Sequence, residues 1–238
     1  MLNIEQQLRK EIVDAGRWIY ERGYVAANDG NISARLPDGS ILMTPTGVSK
    51  GRMTPDMLVK VDAQGNPIEG YLKPSSEVKM HLAVYRKRPD VGAVAHAHPL
   101  VATAFAVAGI SLDRCILPEV IISLGWIPLA RYATPSTDEL AHSVEEFIEY
   151  HDAVLLQNHG VLTMAEDVTH AMYKMETVEH FARISFYARL LGGENELSSE
   201  DVAKLISLRK KMRIPGRYPN LGMRPSSHPD RLTGTAGK

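Results

Sequence analysis

The stretch Val94-Ala95-His96-Ala97-His98-Pro99 closes an apolar run that starts at Val91 and stops at a proline, the pattern of a buried strand giving way to a helix. Side chains alternate along a strand, so His96 and His98, at i and i+2, point to one face and lie close enough to chelate one metal ion. Alone, such a pair serves equally well as a helix cap and a packing residue. A second strand end changes the weighing. Leu155-Leu156-Gln157-Asn158-His159-Gly160 is apolar up to a histidine, and Gly160 reads as the residue that lets the chain turn sharply beside it. Three strand-end imidazoles with an open fourth position suit Zn²⁺, or Mn²⁺, Co²⁺ or Fe²⁺, in a catalytic rather than a closed structural site. His81, four residues after Glu77 on one helical face, is a further candidate ligand, whereas His142, His151, His170, His180 and His228 read as surface or packing residues.

Outward from these strands the chain alternates between helix and strand patterns. Apolar positions from Ile4 to Ile19 recur at helical spacing and Gly23 follows as a stop. NISARL, SILMTP and LVKVD then read as strands of a meander, broken by Asp29-Gly30, Pro37-Asp38-Gly39 and Pro45-Thr46-Gly47. Lys73-Pro74-Ser75-Ser76 opens a helix to about Arg88 with Glu77 in its first turn, and Pro99 begins another that ends near Gly109. IPLARY is a strand, Thr137 to Tyr150 a helix, Asp152 to Gln157 a strand, Asp167 to Leu191 a long helix, and Ser199 to Met212 a basic helix. The expected fold is a single α/β domain, residues 1–225, with a central, largely antiparallel sheet flanked by helices. Residues 226–238, rich in Ser, Pro, Gly and Thr, read as a loose tail.

Composition excludes several functions. The 238 residues carry 27 Lys+Arg and 28 Asp+Glu, a net charge of −1, which argues against coating nucleic acid or an anionic membrane. The basic run Leu208 to Arg213 is explained by an exposed helical face. One cysteine, Cys115, forms no internal disulfide, so the fold needs no oxidising compartment. The charged start MLNIEQQLRKEIVDAG lacks a secretory pattern, and no apolar run approaches the roughly 18 to 20 residues of a spanning helix. These features predict a cytoplasmic protein with a small-molecule substrate and neither a nucleic-acid nor a membrane partner.

Taken in order, Gly30-Asn31-Ile32-Ser33, Thr44-Pro45-Thr46-Gly47, Pro74-Ser75-Ser76-Glu77, His96-Ala97-His98-Pro99 and Gln157-Asn158-His159-Gly160 resemble the class II aldolase/adducin family. The resemblance runs from about Gln6 to Leu191 and comes nearest to the fuculose 1-phosphate aldolase-like enzymes, as does the stretch Trp126 to Thr134. It implies one divalent metal ion per subunit, held by His96, His98 and His159, with Glu77 sharing the metal site and serving as acid/base. Outside that context Glu77 reads as a solvent-facing residue favoured by a helix N-terminus. The resemblance further implies that Asn31, Thr46, Gly47, Ser75 and Ser76 hold a substrate phosphate; each also reads as a turn former or cap. Free N–H groups at a helix start bind an anion without Lys or Arg, so neighbouring Lys50 is left out of the site.

The activity so implied is reversible cleavage of a deoxyketose 1-phosphate into dihydroxyacetone phosphate and an aldehyde. The alternatives are a ribulose 5-phosphate 4-epimerase-like reaction, decarboxylation of an oxo-sugar-acid phosphate, and a non-catalytic adducin-like module. Retention of all three histidines and Glu77 speaks against the last. No lysine is identified for an imine, which fits a metal as electron sink. The family's fuculose phosphate aldolases draw a tyrosine from a neighbouring subunit to donate a proton to the aldehyde. Here the segment Ile116-Leu117-Pro118-Glu119-Val120-Ile121-Ile122 has none, so Glu119 is the candidate donor, with Asp113 beside it for an epimerase. Tyr218 is the candidate for a second, C-terminal tyrosine. The resemblance also implies a homotetramer with sites between subunits.

Overall fold

Eight strands form one sheet in the order β4-β3-β2-β1-β5-β8-β7-β6 in the computed structural model, which describes residues 3–223. The expected tail at 226–238, with His228, lies outside the described residues. β1 (Asn31–Arg35), β2 (Ile41–Met43), β3 (Val59–Val61) and β4 (Pro67–Glu69) are the meander. β5 (Ala93–Ala97) pairs antiparallel with β1 and with β8 (Gly160–Ala165), which in turn pairs antiparallel with β7 (Ala153–Leu156). Among the described residues only β6 (Leu129–Ala130) runs parallel to its neighbour, β7. The helices are α1 (Ile4–Glu21), α2 (Val78–Lys87), α3 (Leu100–Val107), α4 (Pro118–Ser123), α5 (Asp138–Ile148), α6 (Val168–Leu190) and α7 (Ser199–Met212). The single α/β domain with a largely antiparallel sheet is thus as the sequence predicts.

Both sheet faces are covered, which is why the central strands are apolar throughout. On one face Ala93, Ala95 and Ala97 of β5 join Ile32, Leu155 and Val161 beneath α1, α3 and α6. Val94, Val154, Leu156, Leu162 and Met164 face the other way, beneath α2 and α5. Register then decides which polar groups meet. Asn31 lies opposite His96, and Ser33 opposite Val94, so Asn31, Ser33 and His96 share the α2 face.

Several local expectations need correction. α2 starts at Val78, and Glu77 is its N-cap rather than a first-turn residue. The stretch before it is held extended, because Thr46 N–H donates to Lys73 O at 3.0 Å and Ser75 N–H to Thr44 O at 3.1 Å. IPLARY contributes strand only at Leu129–Ala130, since the N–H of Tyr132 goes to the Gln157 side chain at 3.1 Å. Neither β4 nor α4 is legible in the sequence. Arg209 belongs to no exposed face. It is 6% exposed, and its guanidinium donates to the carbonyls of Ile122, Ser123, Pro215 and Gly216.

Candidate metal centre and active site

The ends of β5 and β7 bring His96, His98 and His159 together, with one nitrogen of each within 4.8 Å of the others. Asn158, at φ +57°, makes the turn before His159, so the sharp bend is not the work of Gly160. Gly160 is needed for another reason: a Cβ there would lie 2.5 Å from Ala97 O and 2.6 Å from His98 Cδ2. Only a glycine lets β8 pass this close to the imidazoles.

Backbone partners orient the rings. His96 Nδ1 donates to Val161 O at 2.9 Å, which leaves the Nε2 lone pair facing the cluster. His98 Nε2 lies 3.1 Å from His96 Nε2. On its far side His98 Nδ1 faces Asp29 Oδ2 at 3.6 Å, a carboxylate no sequence motif pointed to. Glu77 sits between two of the rings, Oε2 3.4 Å from His96 Nε2 and Oε1 3.3 Å from His159 Nε2. Burial, then the charges His159 and His98 would carry, hold His96 well below the usual imidazole range. Burial lowers His159 too, against the pull of Glu77. Both shifts favour the neutral, metal-ligating form of His96 and His159.

Whether these groups fit a cation is answered by what they lack. Glu77 Oε1 and His159 Nδ1 are buried with no hydrogen-bond partner. Buried polar groups are ordinarily satisfied, so these two mark a site with capacity left for something that binds. Three imidazole nitrogens and an adjacent carboxylate suit a divalent ion with a position left for substrate. His81 is not a ligand here. Its ring is fully buried, with burial pushing it to about 4, and both nitrogens are engaged, Nδ1 with Ser33 and Nε2 with Asn31.

The residues expected to hold phosphate lie on two loops paired by the bridge between Pro45 and Pro74. Thr46, Gly47 and Ser76 are exposed there, and Gly47 takes φ +75°. Ser75 is buried and its Oγ accepts from Glu77 N–H at 3.3 Å. Asn31 is drawn into the metal centre, its Nδ2 donating to Glu77 Oε2 at 2.8 Å, which leaves one amide hydrogen for an anion. Lys50 is buried, donating to Val48 O at 2.7 Å and Asn28 O at 3.0 Å, and burial lowers it to about 8.

Glu119 and Tyr218 are not brought to this centre by the chain itself. Glu119, exposed on α4, borders a groove of about 560 Å³ with Tyr173, Glu176 and His180. Tyr218 lies under the Arg209 guanidinium, 4.7 Å from ring centroid to Cζ, its hydroxyl buried without a partner and pushed by that burial up to about 12.

Residues 10–186 match the model of the class II aldolase and adducin N-terminal domain family. The chain belongs to this family. It is 36% identical over 210 residues to a 3-oxo-tetronate 4-phosphate decarboxylase of Escherichia coli K12, covering 86% of this chain and 97% of that protein. It is 36% identical over 177 residues to an L-fuculose phosphate aldolase of Methanococcus maripaludis, covering 74% and 94%. The structure of Escherichia coli YgbL, described by the three activities aldolase, epimerase or decarboxylase, superposes with a TM-score of 0.79 at 35% identity, covering 86% of this chain and 100% of YgbL. Family membership and the imidazole cluster together make this a class II aldolase-superfamily enzyme with a metal site. No helix among the described residues is long and apolar enough to cross a membrane.

Proposed function

We propose that the enzyme is a metal-dependent decarboxylase of a 3-oxo sugar-acid phosphate, releasing CO₂ and dihydroxyacetone phosphate. The observation that carries this reading is the reach of the match to the decarboxylase, 210 residues against 177 for the aldolase at equal identity. It reverses the order in which the sequence motifs placed the two activities. Chemistry supports the reversal. Retro-aldol cleavage must take a proton from the hydroxyl that becomes the aldehyde, a task for which the segment Ile116 to Ile122 offers no tyrosine. A carboxylate leaves as CO₂ with no such proton to remove.

A divalent ion, Zn²⁺ by donor set, would be held by His96, His98 and His159 and would supply Lewis acidity toward the substrate's ketone and neighbouring hydroxyl. Thr46, Gly47, Ser75 and Ser76 hold the phosphate and so fix the ketone's distance from Glu77. As the bond between the carboxylate carbon and carbon 2 breaks, its electron pair moves into carbons 2 and 3 as an enediolate. Glu77, protonated, then delivers its proton to carbon 2, giving dihydroxyacetone phosphate, and regains one from solvent.

A second reading, retro-aldol cleavage of a ketose 1-phosphate, is favoured by the aldolase match and uses the same enediolate. In that reading a neighbouring copy would present Glu119 or Tyr218 to the departing aldehyde. Exposed Phe186, Tyr187, Leu190 and Leu191 at the end of α6 support a homo-oligomer, a tetramer in our reading. The deciding experiment supplies the metal-loaded enzyme with 3-oxo-tetronate 4-phosphate and, separately, with fuculose 1-phosphate. Stoichiometric CO₂ and dihydroxyacetone phosphate from the first are expected; product from the second alone would overturn the proposal.

A further inference from the structure

Three buried residues outside the ligand set, Tyr85, Ser33 and His81, lead in hydrogen-bonding contact from the core to Asn31 and Glu77. Glu77, His81 and Tyr85 are spaced four apart, on one face at about 6 Å per step. Asn31 and Ser33 are two apart on β1, at about 6.8 Å per step, and share the face toward α2. The matched pitch lets helix and strand interlock. Tyr85 OH lies 2.8 Å from Ser33 Oγ, which lies 2.7 Å from His81 Nδ1. His81 Nε2 is 2.5 Å from Asn31 Oδ1, and Asn31 Nδ2 is 2.8 Å from Glu77 Oε2.

The chemistry of the atoms gives this chain one direction. Glu77 Oε2 accepts from Asn31 Nδ2 whether or not the carboxyl carries a proton on Oε1, so the Asn31 oxygen faces His81. That oxygen only accepts, so His81 carries its proton on Nε2. A fully buried imidazole with no carboxylate in contact is neutral, so Nδ1 accepts and Ser33 must donate to it. Ser33 Oγ is then left to accept from Tyr85. Each donor points toward Glu77, and bonds so aligned polarise one another.

We infer that Tyr85, Ser33 and His81 are positioning residues that lock the Asn31 amide and thereby hold one oxygen of Glu77 while its other oxygen stays free for chemistry. The inference rests on the reading of Glu77 as the proton-transferring group. The free oxygen is Oε1, which makes no hydrogen bond and faces His159 Nε2 at 3.3 Å. Without the chain, Asn31 could turn its carbonyl toward the carboxylate and repel it. Because the same amide keeps one hydrogen for the phosphate, the lock also ties the acid/base to the anion-binding loops.

Two measurements on the full-length, metal-loaded protein test this. Nitrogen-15 NMR of the imidazoles should show His81 as a single Nε2–H tautomer, with Ser33→Ala mixing the two tautomers; an Nδ1–H tautomer in the wild type would overturn the chain. Dihydroxyacetone phosphate in deuterated water then reads proton exchange beside the ketone, a step shared by both proposed reactions. Ser33→Ala should slow exchange about 10- to 100-fold at unchanged metal content, and Tyr85→Phe less. Variants that melt lower but exchange within twofold of wild type would reduce the chain to a structural feature and overturn the inference. Absence of exchange in the wild type would instead overturn the role of Glu77 itself.

Discussion

Two buried polar clusters occupy opposite ends of the same strands, and they are finished differently. Beyond one end of β5 and β7 lie His96, His98, His159 and Glu77; before the other lie Arg88 and Asp152, reached by Lys174 from α6. Asp152 accepts from Arg88 at 2.7 Å, from Lys174 at 2.7 Å and from the Arg217 N–H at 3.2 Å. Arg88, 1% exposed, also donates to the carbonyls of Ile148 and His151, and Lys174 to that of Met164. Every charged atom there has a partner. At the histidine end Glu77 Oε1 and His159 Nδ1 are buried without a hydrogen bond. A cluster that serves stability satisfies its groups within the chain, whereas one that serves chemistry leaves capacity for what binds.

The comparison breaks most visibly at the unfinished end. Dialysis against a chelator should abolish turnover, and a divalent ion should restore it, with metal content followed alongside activity. Glu77→Gln should retain metal yet lose about 10²- to 10⁴-fold in kcat, as expected for a lost acid/base. His98→Ala should lose the metal itself. At the finished end the expected loss is in stability. Asp152→Ala strands the buried guanidinium of Arg88 and should cost about 3 to 5 kcal/mol in urea unfolding, with kcat of the folded fraction unchanged.

His151, beside this cluster, adds a pH signature. It is buried, its Nδ1 donates to Trp126 O at 3.1 Å, and burial, partly offset by that hydrogen bond and by Asp152, lowers it to about 4. The unfolded imidazole takes a proton near pH 6.5, the folded one only near 4. The contribution is therefore complete above about pH 6.5 and lost as pH falls toward 4, by up to about 3 kcal/mol. Urea midpoints should fall over that window, and less steeply in His151→Gln. The smallest effect is expected from Glu119→Gln on exposed α4, a shift in melting temperature under about 2 °C. Decarboxylation should survive that change; loss of fuculose 1-phosphate cleavage would assign Glu119 to the second reaction.

Much of the centre was legible because its clustered histidines sit at or just past strand ends, where period-two alternation and a stop signal mark them. His96, His98 and His159 follow from that pattern, and Glu77 from the motif around it. Asp29 and the directed run through Ser33, His81 and Tyr85 were not legible. Spacing on one element says which residues share a face, and nothing about which face of another element they meet. The expected start of α2 failed for a related reason: the loop at Thr44–Thr46 captured the hydrogen bonds of Lys73 and Ser75 and kept that stretch extended. Arg209 looked like one more charge on a basic helix until the carbonyls of α4 and of Pro215-Gly216 enclosed it.

By itself the sequence determined the α/β class, the order of most elements and the histidines that cluster, since hydrophobic period and turn residues act locally. The β1–β5 register, the Gly160 approach to the imidazoles and the pairing of Asn31 with Glu77 were decided by tertiary structure. These depend on contacts between residues far apart in the chain, which are settled only when the two faces of the sheet are packed.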